Sequence, residues 1–304
     1  MTHGGLSVRM AVLAAAFGIL VPAQLLALRA GSPLAGRIPV LLHRLFLRLF
    51  GIRVSVVGEP PPPGRPVLIL ANHVSWLDIP VMASLCPLSF VAKQEIAGWP
   101  LFGAASRLQR SIFLDRTRKA ATGTANAEMA GRLARGETIL LFPEGTTGDG
   151  NRILPFRSSL VGAARAALDA TGGAPIVLQP LAITYTRRDG LPLTRRDRPA
   201  IAWYGDMELA PHAVAFVRGG VLDVTVTWAA PIPFGPGHDR KKAAAAAEIA
   251  VRAAVQAAGG EHAGRSTAGR ASDGIRPRDA AILSGASNAY EERRPESGPG
   301  RGNP

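Results

Sequence analysis

The sequence predicts an α/β fold with a mainly parallel sheet flanked by helices, and three observations carry that prediction. Three short runs are built on continuous apolar stretches: "VLILAN" (67–72), "TILLFPEG" (138–145) and "APIVLQPLAITY" (174–185). Continuous apolar runs of this length read as strands buried on both faces. Helix-like stretches separate them, at 79–86, about 119–135 and 158–170. Strands alternating with helices build parallel sheets. Finally, "LDVTVTWAAPI" (222–232) alternates as a late strand, and "KKAAAAAEIAVRAAVQAA" (241–258) has strong helix propensity.

Ahead of this domain lies an apolar anchor. Residues 10–28, "MAVLAAAFGILVPAQLLAL", hold no charge over nineteen positions, about the length that crosses a bilayer core of ~30 Å. Pro22 and Gln24 weaken the stretch. A signal peptide is the competing reading, but a second apolar segment, "IPVLLHRLFLRLF" (38–50), follows at once. Its His43, Arg44 and Arg48 lie about one helical turn apart, which fits an amphipathic helix lying at a membrane surface; a core helix of the domain is the alternative. Arg29, Arg37, Arg44 and Arg48 follow the first segment and only Arg9 precedes it. The positive-inside rule then places the catalytic domain on the cytoplasmic side of the inner (plasma) membrane. "GEPPPPGRP" (58–66) is a spacer, because proline excludes helix and sheet interior. From Gly259 the composition turns to Gly, Ser, Arg, Pro and Glu, a disordered tail. The expected division is an anchor over 1–50, a catalytic domain over 51–258 and a tail over 259–304.

Charge narrows the partners. The net charge is +13 with only 19% charged residues. A basic chain attracts nucleic acid or an anionic lipid surface. The tail holds seven Lys/Arg and six Asp/Glu, a net of 7 − 6 = +1, so the excess belongs to the anchor and the folded domain. No nucleic-acid motif is visible and aromatics are 6%, which points to a membrane and away from nucleic acid. Cys86 is the one cysteine, which excludes an intrachain disulfide.

The chemistry concentrates in "ILANHVSWLDIP" (69–80). A strand ends near Asn72 and Asp78-Ile79-Pro80 reads as a helix start, so Asp78 is a candidate N-cap. His73 falls in the connecting turn, at the carboxyl end of a parallel strand, where open α/β sheets bind ligands. In a tight turn His73 and Asp78 can meet, and an Asp beside an imidazole fixes its tautomer. The pair is a general base lacking a protein nucleophile. A second segment, "FPEGTTGDG" (142–150), follows another buried strand and offers a carboxylate, a glycine and hydroxyls at its end. No G-x-S-x-G elbow and no metal-ligand spacing is present.

Four blocks together resemble the glycerolipid acyltransferase family, whose best-known members are 1-acylglycerol-3-phosphate acyltransferases. "NHVSWLD" (72–78), "SIFLDR" (111–116), "FPEGT" (142–146) and "VLQPLAI" (177–183) stand in the family's order, within a resemblance spanning roughly residues 40–235. It implies transfer of a fatty acyl group from acyl-CoA or acyl carrier protein to a lysolipid hydroxyl, with the thioester as co-substrate and no cofactor or metal. The product expected first is phosphatidic acid from 1-acyl-sn-glycerol-3-phosphate; lyso-ornithine lipid is the alternative acceptor, and a non-catalytic lipid-binding protein a further one. By this resemblance His73 is the general base and Asp78 orients it, without an acyl-enzyme. Arg116, Glu144, Gly145 and Thr146 bind the acceptor's polar head, and Lys93 faces it. "GWPLFGAA" (98–105) lines an acyl channel or is plain core. The chain departs from the family's pattern at Asp149-Gly150-Asn151-Arg152, at "PFRSSL" (155–160) and at "AWYGDMEL" (202–209). These stretches resemble the bacterial members that acylate other lysolipids, including lyso-ornithine lipid.

Overall fold

The computed structural model describes residues 3–62, 64–115 and 119–264. It begins with two packed helices, α1 (His3–Arg29) and α2 (Leu34–Leu49). Within α1, Gly5–Arg29 is long and apolar enough to cross a membrane, with a mean hydropathy of 2.2. Only 11% of its most apolar window is buried, whereas a core helix of a soluble domain hides most of its apolar surface. Gln24 is the polar interruption, and its Nε2 donates to the carbonyls of Ala35 (2.9 Å) and Leu108 (2.8 Å). In α2, Val40 and Leu47 are buried and Leu41 is exposed. The basic stripe expected there is divided. Arg44 Nε donates to the Ser84 carbonyl at 2.8 Å and His43 Nε2 meets Gln109 Oε1 at 3.0 Å, so both are tied to the body, while Arg48 is exposed.

The body is a sheet between two layers of helices. Its strands are β1 (Ile52–Val57), β2 (Val67–Ala71), β3 (Ser89–Lys93), β4 (Ile112–Leu114), β5 (Thr138–Leu141), β6 (Ile176–Arg188), β7 (Leu191–Pro192), β8 (Leu222–Trp228) and β9 (Ile232–Phe234). Their order is β1-β8-β6-β2-β5-β3-β4, with β7 and β9 also paired to β6. From β6 to β4 every pairing is parallel. The polarity reverses between β6 and β8, and β1 runs parallel to β8. The helices are α3 (Asp78–Ala83), α4 (Phe102–Leu108), α5 (Lys119–Ala134), α6 (Gly162–Ala170), α7 (Leu209–Val217) and α8 (Arg240–Gly264). Residues 259–264, expected in the tail, continue α8; the rest of that tail, 265–304, lies outside the described residues.

The pleat assigns each side chain to a layer. Leu68 and Leu70 of β2, with Ile139 and Leu141 of β5, join the core beneath α5, α6 and α8. Ile69, Ala71, Leu140 and Phe142 face the other core, with Leu77, Val81 and Met82 around α3 and Phe216 of α7. All five residues of β2 are buried, which is why its sequence shows no alternation. Burial of each such Leu or Ile contributes ~1.5–3 kcal/mol.

Pro180 interrupts β6, a central strand, where proline removes a ladder donor. The position tolerates it because β6 changes partner there. Residues 176–178 pair with β9 and 181–188 with β8. The buried Gln179 bridges the gap, its Nε2 donating to the carbonyls of Ala229 (2.7 Å) and Pro180 (3.0 Å).

The parallel half places the sequence blocks together. "NHVSWLD" leaves β2, "FPEGT" leaves β5, Lys93 ends β3 and Asp115 follows β4. All four are carboxyl ends of parallel neighbours. The stretch 98–105 is not core at its start: Leu101 is 83% exposed, and Trp99 and Phe102 are also open to solvent.

Candidate active site

His73 sits in the turn between β2 and α3, and four bonds converge there on the Asp78 carboxylate. Asp78 is fully buried. Its Oδ2 meets His73 Nδ1 at 2.7 Å and accepts the N–H groups of Val74 (2.7 Å) and Ser75 (2.9 Å). Its Oδ1 accepts the Tyr185 hydroxyl at 2.6 Å. Two of the four contacts are backbone N–H groups that can only donate, and an ionised carboxylate can only accept, so opposite Asp78 the neutral imidazole places its proton on Nδ1. The Nε2 lone pair is then free to take a proton. Burial, and then the neighbouring Asp78 charge, push the Tyr185 hydroxyl well above its ordinary pKa, so it stays a donor. The N-cap of α3 is Leu77, without a side-chain bond; Asp78 reaches back into the turn.

A second carboxylate holds the same histidine by its backbone. Glu144 is 2% exposed. Its Oε1 accepts the His73 N–H at 2.7 Å and its Oε2 accepts the Leu154 N–H at 2.8 Å. Gly148 N–H donates to the His73 carbonyl at 2.9 Å. Burial raises the Glu144 carboxyl to about 7, and the two N–H groups oppose that rise. Glu144, expected at the acceptor's polar head, is turned inward and ties the 142–154 loop to the His73 turn. The turn itself uses Gly145 at φ 81°, whose N–H donates to the Phe142 carbonyl at 3.1 Å. Phe142 lies flat under the imidazole, ring centroids 3.8 Å apart at 9°. The ring is thus fixed in plane by Asp78 and from below by Phe142, with 18% of the side chain exposed.

Thr146 and Lys93 are exposed. Lys93 ends β3, on the far side of β5 from His73. Arg116 lies outside the described residues. Cys86 is no competing nucleophile, because burial pushes its thiol up to about 11. Among the described residues no cluster of His, Cys, Asp or Glu suits a metal ion.

Several site residues were not singled out by the sequence: Tyr185 lies outside the four blocks, and Asn72 and Trp76 lie within the first block without an assigned role. Tyr185 was hidden at the end of an apolar strand, although a buried tyrosine needs a partner for its hydroxyl. Asn72 pairs with the backbone of Ile183 in both directions, at 2.9 and 2.8 Å, and fixes the end of β2 against β6. Trp76 Nε1 donates to His212 Nδ1 at 3.0 Å. This bond requires the neutral imidazole, which burial favours by lowering the His212 pKa.

Comparison with known proteins places this geometry. Residues 53–184 match the family model described as Acyltransferase. A lyso-ornithine lipid O-acyltransferase of Brucella abortus is 43% identical over 239 residues, covering 79% of this chain and 89% of the relative. The chain belongs to the acyltransferase family. A second relative of this acyltransferase, also a lyso-ornithine lipid O-acyltransferase, comes from Rhizobium meliloti; it is 42% identical over 74% of this chain and 76% of its own. A 1-acyl-sn-glycerol-3-phosphate acyltransferase of Neisseria meningitidis is 32% identical over 66% of this chain and 73% of its own. Among solved structures, the 1-acyl-sn-glycerophosphate acyltransferase PlsC of Thermotoga maritima shares the acyltransferase's fold. Its TM-score is 0.55 at 20% identity, over 86% of this chain and 97% of that one.

Proposed function

We propose that this acyltransferase transfers a fatty acyl group from an acyl-CoA or acyl-ACP thioester to the hydroxyl of lyso-ornithine lipid. The acceptor follows the relatives: the Brucella and Rhizobium proteins named for lyso-ornithine lipid are 43% and 42% identical, against 32% for the Neisseria protein named for 1-acyl-sn-glycerol-3-phosphate. This reverses the order expected from the motifs, which the two activities share. Formation of phosphatidic acid is the second reading, supported by the Neisseria relative.

The observation that carries the mechanism is the 2.7 Å contact between His73 Nδ1 and Asp78 Oδ2. His73 Nε2 takes the proton of the acceptor hydroxyl as its oxygen attacks the thioester carbonyl carbon. The C–O bond forms, the C–S bond breaks, and the imidazolium returns the proton to the departing thiolate. Asp78 stabilises the transient positive charge. General-base catalysis of this kind contributes ~10²–10⁴-fold, and alignment of two amphiphiles adds to it. No acyl-enzyme forms: among the described residues, no serine or cysteine side chain bonds to His73. The exposed apolar α1 holds the enzyme in the inner membrane, and the arginines following it favour a cytoplasmic catalytic domain.

The test is acyl transfer by membranes carrying the enzyme, with one labelled thioester and both lysolipids offered. Label in ornithine lipid, lost in His73→Ala, is the expected result. Label in phosphatidic acid alone replaces the acceptor and keeps the mechanism. Transfer that persists in His73→Ala rejects the general base.

A further inference from the structure

We propose that a pocket beside His73, on the β6 side, is an oxyanion site that receives the carboxylate or phosphate of a substrate. It deepens the function proposed above and rests on it. The cavity has a volume of about 190 Å³ and His73 and Glu144 form part of its wall. Three arginines from separate elements line it: Arg152 from the loop after β5, Arg198 from the turn after β7, and Arg252 from α8. None belongs to the four sequence blocks.

The charge balance favours an anion. Arg252 is shared, with Nε on Glu248 Oε1 at 2.9 Å and Nη2 on the Ile153 carbonyl at 2.8 Å. Among the described residues, Arg152 and Arg198 have no ion-pair partner. The carboxylate in the wall is Glu144, committed to two backbone N–H groups; around it Glu248 holds Arg252 and the Phe156 N–H, Asp149 accepts the Asn151 N–H, and Asp197 accepts the Thr194 N–H and hydroxyl. Buried polar groups also stand without protein partners. Thr184, 6% exposed, lines the cavity with its Oγ1 unbonded, and Arg198 Nε is buried and unbonded. Such groups carry a desolvation cost that a ligand oxygen relieves. Guanidinium forks suit carboxylate and phosphate because both present two oxygens in plane.

The loop is shaped for this contact. Gly150 has φ 76°, and a Cβ there would lie 3.2 Å from Val74 Cγ1 and 3.4 Å from Arg198 Cβ. Only glycine lets the Asp149–Arg152 stretch descend between the His73 turn and the Arg198 stem. This is the stretch where the chain departs from the family's pattern. Both substrates of the proposed reaction carry oxyanions, the acceptor in its head group and the thioester in its phosphopantetheine arm, so both sources fit the chemistry.

The experiment uses the full chain in membranes and compares wild type with Arg198→Gln and Arg198→Lys. KM and kcat are measured for lyso-ornithine lipid, for the same lipid with its carboxylate amidated, for lysophosphatidic acid and for the acyl thioester. The expected result is a tenfold or larger rise in one substrate's KM in Arg198→Gln, with kcat within about twofold and partial recovery in Arg198→Lys. A rise confined to anionic acceptors, absent with the amidated lipid, assigns the pocket to the head group. A rise confined to the thioester assigns it to the donor's phosphate. Unchanged KM values, or an equal loss on every substrate including the amidated lipid, overturn the proposal. Should Arg198→Gln fail to fold by thermal unfolding, Arg152→Gln on the exposed loop carries the same test. If wild type acylates lysophosphatidic acid and not lyso-ornithine lipid, the acceptor reading fails, and the pocket is still judged by the variant's KM for lysophosphatidic acid.

Discussion

Two loops meet at His73, and they hold it in different ways. The 72–78 turn grips the ring: Asp78 binds Nδ1 and gathers two backbone N–H groups and the Tyr185 hydroxyl around itself. The 142–154 loop grips the backbone: Glu144 binds the His73 N–H and Gly148 binds its carbonyl. Both carboxylates are buried, yet only Asp78 touches the imidazole. The difference teaches that a shared motif carboxylate need not share a role. Asp78 meets the ring nitrogen, and Glu144 holds the backbone of the chain that carries it.

Substitutions on the two sides should therefore separate. The largest effect is expected from His73→Ala, with acyl transfer reduced by ~10²–10⁴-fold or more and the far-ultraviolet dichroism of the purified enzyme unchanged. Asp78→Asn should lower kcat by ~10²-fold or more while KM for both substrates moves little, because the tautomer and the charge on the imidazole are lost together. If it raised KM and spared kcat, the ring side of the comparison would break. On the backbone side, Glu144 titrates. Its folded pKa, near 7, lies above the ordinary value of 4.5, so its neutral form is favoured in the folded protein. The associated stability is present below about pH 4.5 and is lost as pH rises toward 7. Thermal unfolding of wild type against Glu144→Gln should show the wild type losing up to ~3 kcal/mol relative to the variant over that window. A difference constant with pH would show that burial does not govern this carboxyl. The smallest effect is expected from Tyr185→Phe, which removes one of four bonds to Asp78: ~1–3 kcal/mol of stability and about tenfold in kcat.

The sequence made the ring side legible and left the backbone side dark. A histidine and an aspartate five positions apart at the end of an apolar run point to each other through local chain geometry. The partner of Glu144 lies 71 residues away, and Tyr185 is 107 residues from Asp78; no local spacing records such pairs. The same rule covers the fold. The fully apolar β2 and the largely apolar β5 and β6 are visible because burial on two faces leaves few polar positions. The edge strand β1, with a burial pattern that leaves Val56 and Val57 exposed, and the short β3 and β4 were not. Their identity as strands comes from neighbours far along the chain, and "IRVSVV" carries only a weak alternation. The basic stripe of α2 was read as facing lipid because periodicity gives a face and not what the face touches; Ser84 and Gln109 claim two of its three groups.

Gln24 has a consequence for how the molecule moves. A lone amide in a long apolar helix fastens α1 at once to α2 and to the end of α4. The helix is therefore no tether on which the body swings but a keel fixed to the hull.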